Sequence, residues 1–191
     1  MSAHDATGNK VGRAQLPEPW LRGTMTDVAA VPRGVLHALE LAGEDLQKWC
    51  GELTDRELNA RPFGLPPVAF HMRHIARSLD RLLSYAEGQA LTEEQLRALK
   101  GELETRARRE ELFSELSLAL TRSAERVRAL AGTDLQQTRT VGKRELPTTV
   151  GGLLVHVADH TQRHVGQAVT TAKVVGSIFD GAADLVVRPQ P

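Results

Sequence analysis

Residues 150–175 read VGGLLVHVADHTQRHVGQAVTTAKVV, and their apolar side chains recur with the period of one long amphipathic helix. The residues predicted on its inner face are Val150, Leu153, Leu154, Val157, Ala168, Ala172 and Val175. Thr148 or Thr149 is suited to cap the start of this helix, and Gly176 is suited to end it. A helix with one apolar face must bury that face against other elements, so this stretch predicts a helical bundle.

Three further long helices are predicted upstream from the same periodicity, at about residues 32–53, 67–87 and 102–131. Their predicted inward residues are Val35, Leu36, Leu39, Ala42, Leu46, Trp49 and Leu53 in the first, Val68, Met72, Ile75, Leu79, Leu82, Leu83 and Ala86 in the second, and Phe113, Leu116, Leu120, Val127 and Leu130 in the third. Four amphipathic helices with few strand signals indicate an all-α fold, an up-and-down-type four-helix bundle.

Shorter elements are predicted between the long helices. Thr54 and Thr92 each begin a capping box, Thr-x-x-Glu and Thr-x-x-Gln, and these predict two extra short helices. Residues 133–147 are predicted to form a loop, with a short extended piece at about 138–141.

The chain is expected to hold one domain, at residues 27–176, between an N-terminal tail at 1–26 and a C-terminal tail at 177–191. Lys plus Arg equals Asp plus Glu, at 24 each, so no basic excess points to a nucleic-acid partner. No apolar run approaches the ~20 residues that a membrane-spanning helix needs. Cys50 is the single cysteine, so no internal disulfide is expected, and the polar N-terminus favours a cytoplasmic protein.

Three of the seven histidines, His156, His160 and His164, stand at four-residue steps in the last predicted helix. Positions four apart lie on one helical face, and neutral imidazole is a common metal ligand. On the helical wheel, His160 and His164 point closer to the bundle interior than His156, and Gln167 falls between the directions of His156 and His160. The pair His160 and His164 is therefore predicted to bind a divalent cation if a third ligand comes from elsewhere.

The second predicted helix is the expected source of that ligand, because His71, His74, Arg81 and Tyr85 follow one flank of its apolar stripe. Bundle helices commonly pack ~8–10 Å apart, and two facing imidazoles can span that gap through one ion. The spacing does not choose between His71 and His74. Arg81, Tyr85 and Gln167 are candidates to contact a substrate or to support the ligands from behind.

Several known chemistries are excluded by the motifs. The run from His160 to His164 has the histidine spacing of zinc peptidases, but Thr161 stands where their catalytic Glu would be. The sequence contains neither the Glu-x-x-His pair of di-iron carboxylate bundles nor a phosphate-binding loop or a GxGxxG motif.

The runs LPPVAFHMRHIARSLDRL and HVADHTQRHVGQ, with the four-helix spacing, resemble the DinB-like superfamily, also called the YfiT-like metal-dependent hydrolases. The resemblance covers roughly residues 30–176. The family's late motif usually reads His-Glu-x-x-His-x-Gly-Gln, which matches this chain from His160 to Gln167 except at Thr161. The register of the earlier run favours His74 over His71, so the resemblance implies His74, His160 and His164 as the metal ligands.

The resemblance also implies a bound zinc or nickel ion and a homodimer. Three neutral histidines leave such an ion with open positions, as in catalytic zinc sites. Related proteins are implied to act on low-molecular-weight thiols such as bacillithiol or mycothiol. We therefore expect a metal-dependent thiol S-transferase or hydrolase that acts on a small-molecule substrate. The alternative is a non-catalytic helical bundle with a structural metal site, in which His71 or His156 supplies a fourth ligand.

Overall fold

Helices make up most of the chain. The computed structural model describes residues 16–103 and 106–187, with side-chain surroundings as far as residue 179. The helices of this part are α1 (Ala30–Cys50), α2 (Asp55–Leu58), α3 (Val68–Ala86), α4 (Glu93–Lys100), α5 (Arg109–Ala129) and α6 (Val150–Val187). Two strands, β1 (Thr138–Val141) and β2 (Leu146–Thr149), lie between α5 and α6.

The four long helices α1, α3, α5 and α6 form a bundle around one apolar core. Helix α6 packs against both α1 and α3, α3 also packs against α5, and α5 closes the ring against α1. All seven residues predicted on the inner face of the last helix are buried. The all-α prediction is therefore confirmed, and the histidine-bearing helices α3 and α6 are direct neighbours.

Trp49 does not join the core, so the prediction that it faces inward is wrong. Its side chain is 40% exposed, and the ammonium groups of Lys48 and Lys173 lie 5.1 and 4.1 Å from its ring centre. The face of an indole ring attracts cations, which stabilises this position at the surface. Four other residues predicted to face inward are only partly buried: Leu53, Leu82, Phe113 and Leu120.

Both predicted capping boxes are present. The backbone N–H of Thr54 donates to Glu57 Oε2 at 2.8 Å, and the N–H of Glu57 donates to Thr54 Oγ1 at 3.3 Å. Thr92 and Gln95 make the same reciprocal pair at 2.9 and 3.2 Å. These bonds satisfy N–H groups that have no partner inside the helix, and they fix the starts of α2 and α4.

The third long helix begins at Arg109, so the prediction that it begins near residue 102 is wrong. Oδ1 of Asn59 accepts the backbone N–H groups of Arg106 and Ala107 at 2.9 and 3.1 Å, and Arg106 has a φ of +76°. This anchoring holds the chain in a non-helical conformation just before α5. As a result, Glu102 lies in the connection between α4 and α5, where it is buried.

The predicted extended piece at 138–141 is confirmed as β1, but it has a partner that the sequence did not indicate. Strand β2 pairs with it in antiparallel register, from Thr138 opposite Thr149 to Val141 opposite Leu146. Pro147 lies inside β2 although it lacks a backbone N–H to donate, so the prediction that residues up to 147 form a loop is wrong for Leu146 and Pro147. Thr149 also caps α6, since its Oγ1 accepts the N–H of Gly152 at 3.0 Å.

The prediction that the last helix ends at Gly176 is wrong. Helix α6 continues to Val187. A Cβ at Gly176 would meet no atom within 4 Å, and this glycine does not have the positive φ that would end a helix. Eleven residues of the predicted C-terminal tail, 177–187, are therefore helical, and residues 188–191 lie outside the described part.

The predicted N-terminal tail is described only from residue 16, and residues 1–15 lie outside the described part. Its described portion contains a helical turn at Pro19–Leu21 and is tied to α1 by Arg22, whose Nη1 lies 2.8 Å from Glu40 Oε1 and 2.6 Å from Glu44 Oε1. Among the helices of the described residues, none is both long enough and apolar enough to cross a membrane.

Candidate metal centre

Three imidazoles meet where α3 faces α6. Each of His74, His160 and His164 offers one ring nitrogen, and these three nitrogens all lie within 4.8 Å of one another. The centres of the three rings are separated by 4.3 to 4.9 Å, and Nε2 of His74 lies 3.2 Å from Nε2 of His160. His160 and His164 stand one turn apart on α6, and His74 reaches them from α3.

The spacing of these nitrogens suits a small divalent ion. Zinc binds imidazole nitrogen at about 2.0–2.1 Å, so a tetrahedral zinc ion would hold its nitrogen ligands roughly 3.3–3.4 Å apart. Nε2 of His74 and Nε2 of His160, 3.2 Å apart, already have about that spacing, and all three ring nitrogens lie within 4.8 Å of one another. Three histidines therefore lie in position to bind a metal ion.

Each of the three rings also has a partner at its other nitrogen. Nδ1 of His74 lies 2.7 Å from Glu102 Oε2, Nδ1 of His160 lies 3.4 Å from Ser78 Oγ, and Nδ1 of His164 lies 3.1 Å from His71 Nδ1. The hydroxyl of Ser78 donates to a backbone carbonyl at 3.2 Å, so its oxygen is free to accept from His160. With a proton on each Nδ1, all three Nε2 lone pairs are available to one cation.

Glu102 fixes the tautomer of His74 most strongly, because an ionised carboxylate can only accept. Nε2 of His74 must then carry a lone pair, and it faces Nε2 of His160 at 3.2 Å. Two lone pairs at that distance repel each other unless a proton or a cation lies between them. The carboxylate thus prepares one side of the cluster for a positive ion.

A buried ion pair keeps Glu102 charged. Its side chain is 5% exposed, and Oε1 accepts from Nη1 of Arg81 at 2.6 Å. Burial alone raises the pKa of this carboxyl, but the hydrogen bonds to His74 and Arg81 and the charge of Arg81 outweigh that effect, so the pKa is lowered. Glu102 is not among the residues predicted for the site, because it is 28 positions from His74 and falls at the start of a predicted helix.

The other histidines of the cluster favour the neutral form that binds metal. Burial lowers the pKa of His71, His160 and His164 to about 4, and the neighbouring imidazoles add to the effect. A metal ion competes with protons for the same lone pair, so nitrogens with a low pKa are available to it at neutral pH.

The five other residues predicted for the site lie at different distances from the three imidazoles. His71 is buried against His164, and Arg81 lies behind His74 through Glu102. The ring centre of His156 is 5.4 Å from that of His160, but its side chain is 46% exposed and outside the three-nitrogen group. Gln167 lines an open cavity beside His164, whereas Tyr85 lines a separate cavity next to the β hairpin.

Thr161, which occupies the position of the glutamate in the zinc peptidases, faces the core and not the three imidazoles. It is 1% exposed, between the buried residues Val157 and Val165 of the same helical face. Its hydroxyl has no hydrogen-bond partner in the described part of the chain. The carboxylate nearest to the imidazoles comes instead from Glu102, outside the histidine motif.

Among comparisons with known proteins, only the one with protein families gives a match. No curated protein and no solved structure matches the chain significantly. A family model described as the DinB superfamily matches residues 38–168, which include α3 and the part of α6 that carries His156, His160 and His164. With more than half of its residues matched, the chain belongs to the DinB superfamily.

Proposed function

We propose that this protein is a metal-dependent enzyme in which His74, His160 and His164 bind one zinc or nickel ion. The observation that supports it best is the hydrogen bonding of the cluster: each Nδ1 has a partner, which leaves three Nε2 atoms for one ion. Three imidazole ligands leave at least one coordination position for a substrate, as in catalytic zinc sites.

When bound, such an ion would supply Lewis-acid chemistry, polarising a substrate carbonyl or making a water or thiol donor more acidic. The surrounding residues of the chain orient the three imidazoles. Glu102 holds the proton of His74 at Nδ1, and Ser78 and His71 hold the rings of the other two ligands. The ring of Phe70 stacks on His74, with centres 5.4 Å apart, and packs against one face of this imidazole.

We propose thiol S-transfer or hydrolysis as the reaction, with the thiol as a separate small molecule. The chain cannot supply this thiol itself, because its single cysteine, Cys50, is fully buried in α1. Burial raises the pKa of the Cys50 thiol to about 12, so it stays protonated at neutral pH. An external low-molecular-weight thiol or a water molecule is left as the nucleophile.

One observation favours the alternative, a metal ion that only ties α3 to α6. Nδ1 of His71 lies 3.1 Å from His164, so a fourth imidazole is close enough to become a ligand after a ring movement. Four protein ligands would close the coordination sphere, as in structural zinc sites. A homodimer, a cytoplasmic location and the absence of a nucleic-acid partner stay predictions of the sequence.

The experiment combines metal analysis with ligand screening. Elemental analysis measures the ion bound per chain, and X-ray absorption at the metal edge counts its nitrogen and oxygen ligands. Three imidazoles with one or more exchangeable oxygen ligands support an enzyme, whereas four imidazoles support the structural alternative. A thermal-shift screen of the metal-loaded protein against cellular thiols and electrophiles then tests the reaction class, with His164→Ala as the variant that should lose any specific shift.

A further inference from the structure

An open cavity of about 660 Å³ adjoins the three-histidine cluster on the side of His164. It lies between the first turn of α3, together with the chain segment that leads into it, and the outer side of α6. Its walls include Leu65, Pro66 and Phe70 from the first and Gly166, Gln167 and Thr170 from the second. His164 is the only one of the three candidate ligands that lines it.

Phe70 connects this cavity to the cluster. Its ring stacks on His74 with an angle of 20° between the planes, and it lies edge-on to His164 with ring centres 6.5 Å apart. The same ring therefore borders two of the three imidazoles, His74 and His164, as well as the cavity. A molecule that placed one atom on a bound ion would extend its remaining atoms along Phe70 into the cavity.

The lining favours an uncharged, apolar group. Among the described residues that form it there is no carboxylate, and the guanidinium of Arg163 is already paired with Asp159 on the next turn of α6. Carbon-rich side chains from Leu65, Pro66 and Phe70 supply one wall. A cationic group would lose water here without gaining a carboxylate partner.

We propose that this cavity binds an apolar body, an aryl or alkyl group, attached to the metal-binding atom of the substrate. This inference rests on the proposed function, since it needs an ion on the three histidines. It narrows the substrate class to electrophiles or esters and amides with an apolar substituent, and disfavours sugars and cationic metabolites.

Gly166 is a position at which a substitution can fill the cavity. It lies within α6 and lines the cavity, and a Cβ built there would meet no atom within 4 Å. A larger side chain at this position would therefore fill the cavity without displacing the core. Gly34 in α1 offers a matched control, because its Cβ would also meet no atom within 4 Å and it lies outside the cavity.

The experiment uses two probes, acetohydroxamate and benzohydroxamate, which share a metal-chelating head and differ in their apolar body. Affinities of the zinc-loaded wild type, Gly166→Leu and Gly34→Leu are measured by calorimetry. We expect benzohydroxamate to bind about tenfold more tightly than acetohydroxamate in the wild type and in Gly34→Leu, because the ring is buried. In Gly166→Leu that gain should be lost, with acetohydroxamate affinity within about twofold of the wild type.

Equal affinity of the two probes in the wild type would overturn the inference, and so would a gain that survives in Gly166→Leu. Any intrinsic difference between the two heads cancels in the comparison between variants. Thr170→Phe, at an exposed position of the same wall, replaces Gly166→Leu if the latter does not fold. An absence of bound metal by elemental analysis would refute the proposed function itself, whereas bound metal with equal probe affinities would refute only the cavity inference.

Discussion

Glu102 accepts a hydrogen bond from His74 across 28 positions of the chain, with 2.7 Å between Oε2 and Nδ1. Oε1 of the same carboxylate is held by Arg81 at 2.6 Å, so the acceptor is fixed in place. Carboxylates that hold a ligating histidine in this way orient the ring and make its other nitrogen a stronger ligand.

Glu102→Gln is expected to weaken zinc binding by about 10–100-fold, because the neutral amide holds the Nδ1 proton of His74 less strongly. Competition with a chromogenic chelator measures the affinity. Glu115→Gln is the matched control, since Glu115 pairs with Arg77 at 2.7 Å and contacts no histidine of the cluster. An affinity within about twofold of the wild type in Glu102→Gln would contradict a role for this carboxylate.

His164→Ala is expected to reduce the bound metal from about one ion per chain to a small fraction, because two imidazoles bind zinc far more weakly than three. Elemental analysis after dialysis gives the stoichiometry. His156→Ala serves as the control on the same helix, because its exposed ring lies outside the three-nitrogen group. Equal loss of metal in both variants would show that the ligand set is different.

The metal-free protein is expected to lose stability as the pH falls from about 6.5 to about 4. His71, His160 and His164 have a pKa of about 4 in the folded chain and an ordinary value of 6.5, so the unfolded chain binds more protons in this window. Stability then rises with pH across the window and levels off above it.

Thermal unfolding of the metal-free protein between pH 4.5 and 7.5 measures this effect. The lowered pKa of Glu102 acts in the same direction at a lower pH, since its contribution disappears as the pH falls through its folded-state pKa. His71→Phe, which removes one of the three titrating groups, should make the dependence shallower. A melting temperature that does not change between pH 7 and pH 5 would count against the buried neutral histidines.

Gly176→Ala is expected to raise the free energy of unfolding by roughly 0.5–1 kcal/mol, because alanine favours a helix interior over glycine and its Cβ would meet no atom within 4 Å. Gly51→Ala should act in the opposite direction, because its Cβ would clash with the backbone oxygen of Gln47. Chemical denaturation of both variants measures the difference. A destabilised Gly176→Ala would indicate that α6 ends near residue 176 after all.

The sequence predicted well those features that depend on neighbours three or four residues apart. The period of α6 placed Val150 and Val175 on its buried face, and the same period brought His160 and His164 to one side of the helix. Both capping boxes followed from two residues each, Thr54 with Glu57 and Thr92 with Gln95. Such local rules need no knowledge of the rest of the fold.

Features that depend on tertiary contacts were not predictable in this way. The late start of α5 depends on Asn59, more than 40 positions upstream, whose side chain holds Arg106 and Ala107 out of the helix. Because α5 begins only at Arg109, Glu102 lies outside the helix, where it accepts a hydrogen bond from His74. Likewise, the contact of His71 with His164 joins two helices and could not be derived from either helix alone.

The three imidazoles come from only two helices, with His160 and His164 one turn apart on α6 and His74 opposite them on α3. If α3 slid along α6 by one turn, ~5.4 Å, His74 would lose contact with at least one of them. The affinity of these histidines for a metal ion should therefore depend strongly on how α3 and α6 are aligned along their axes. A core substitution at the opposite end of the bundle that shifts α3 along α6 would then change the amount of metal bound per chain.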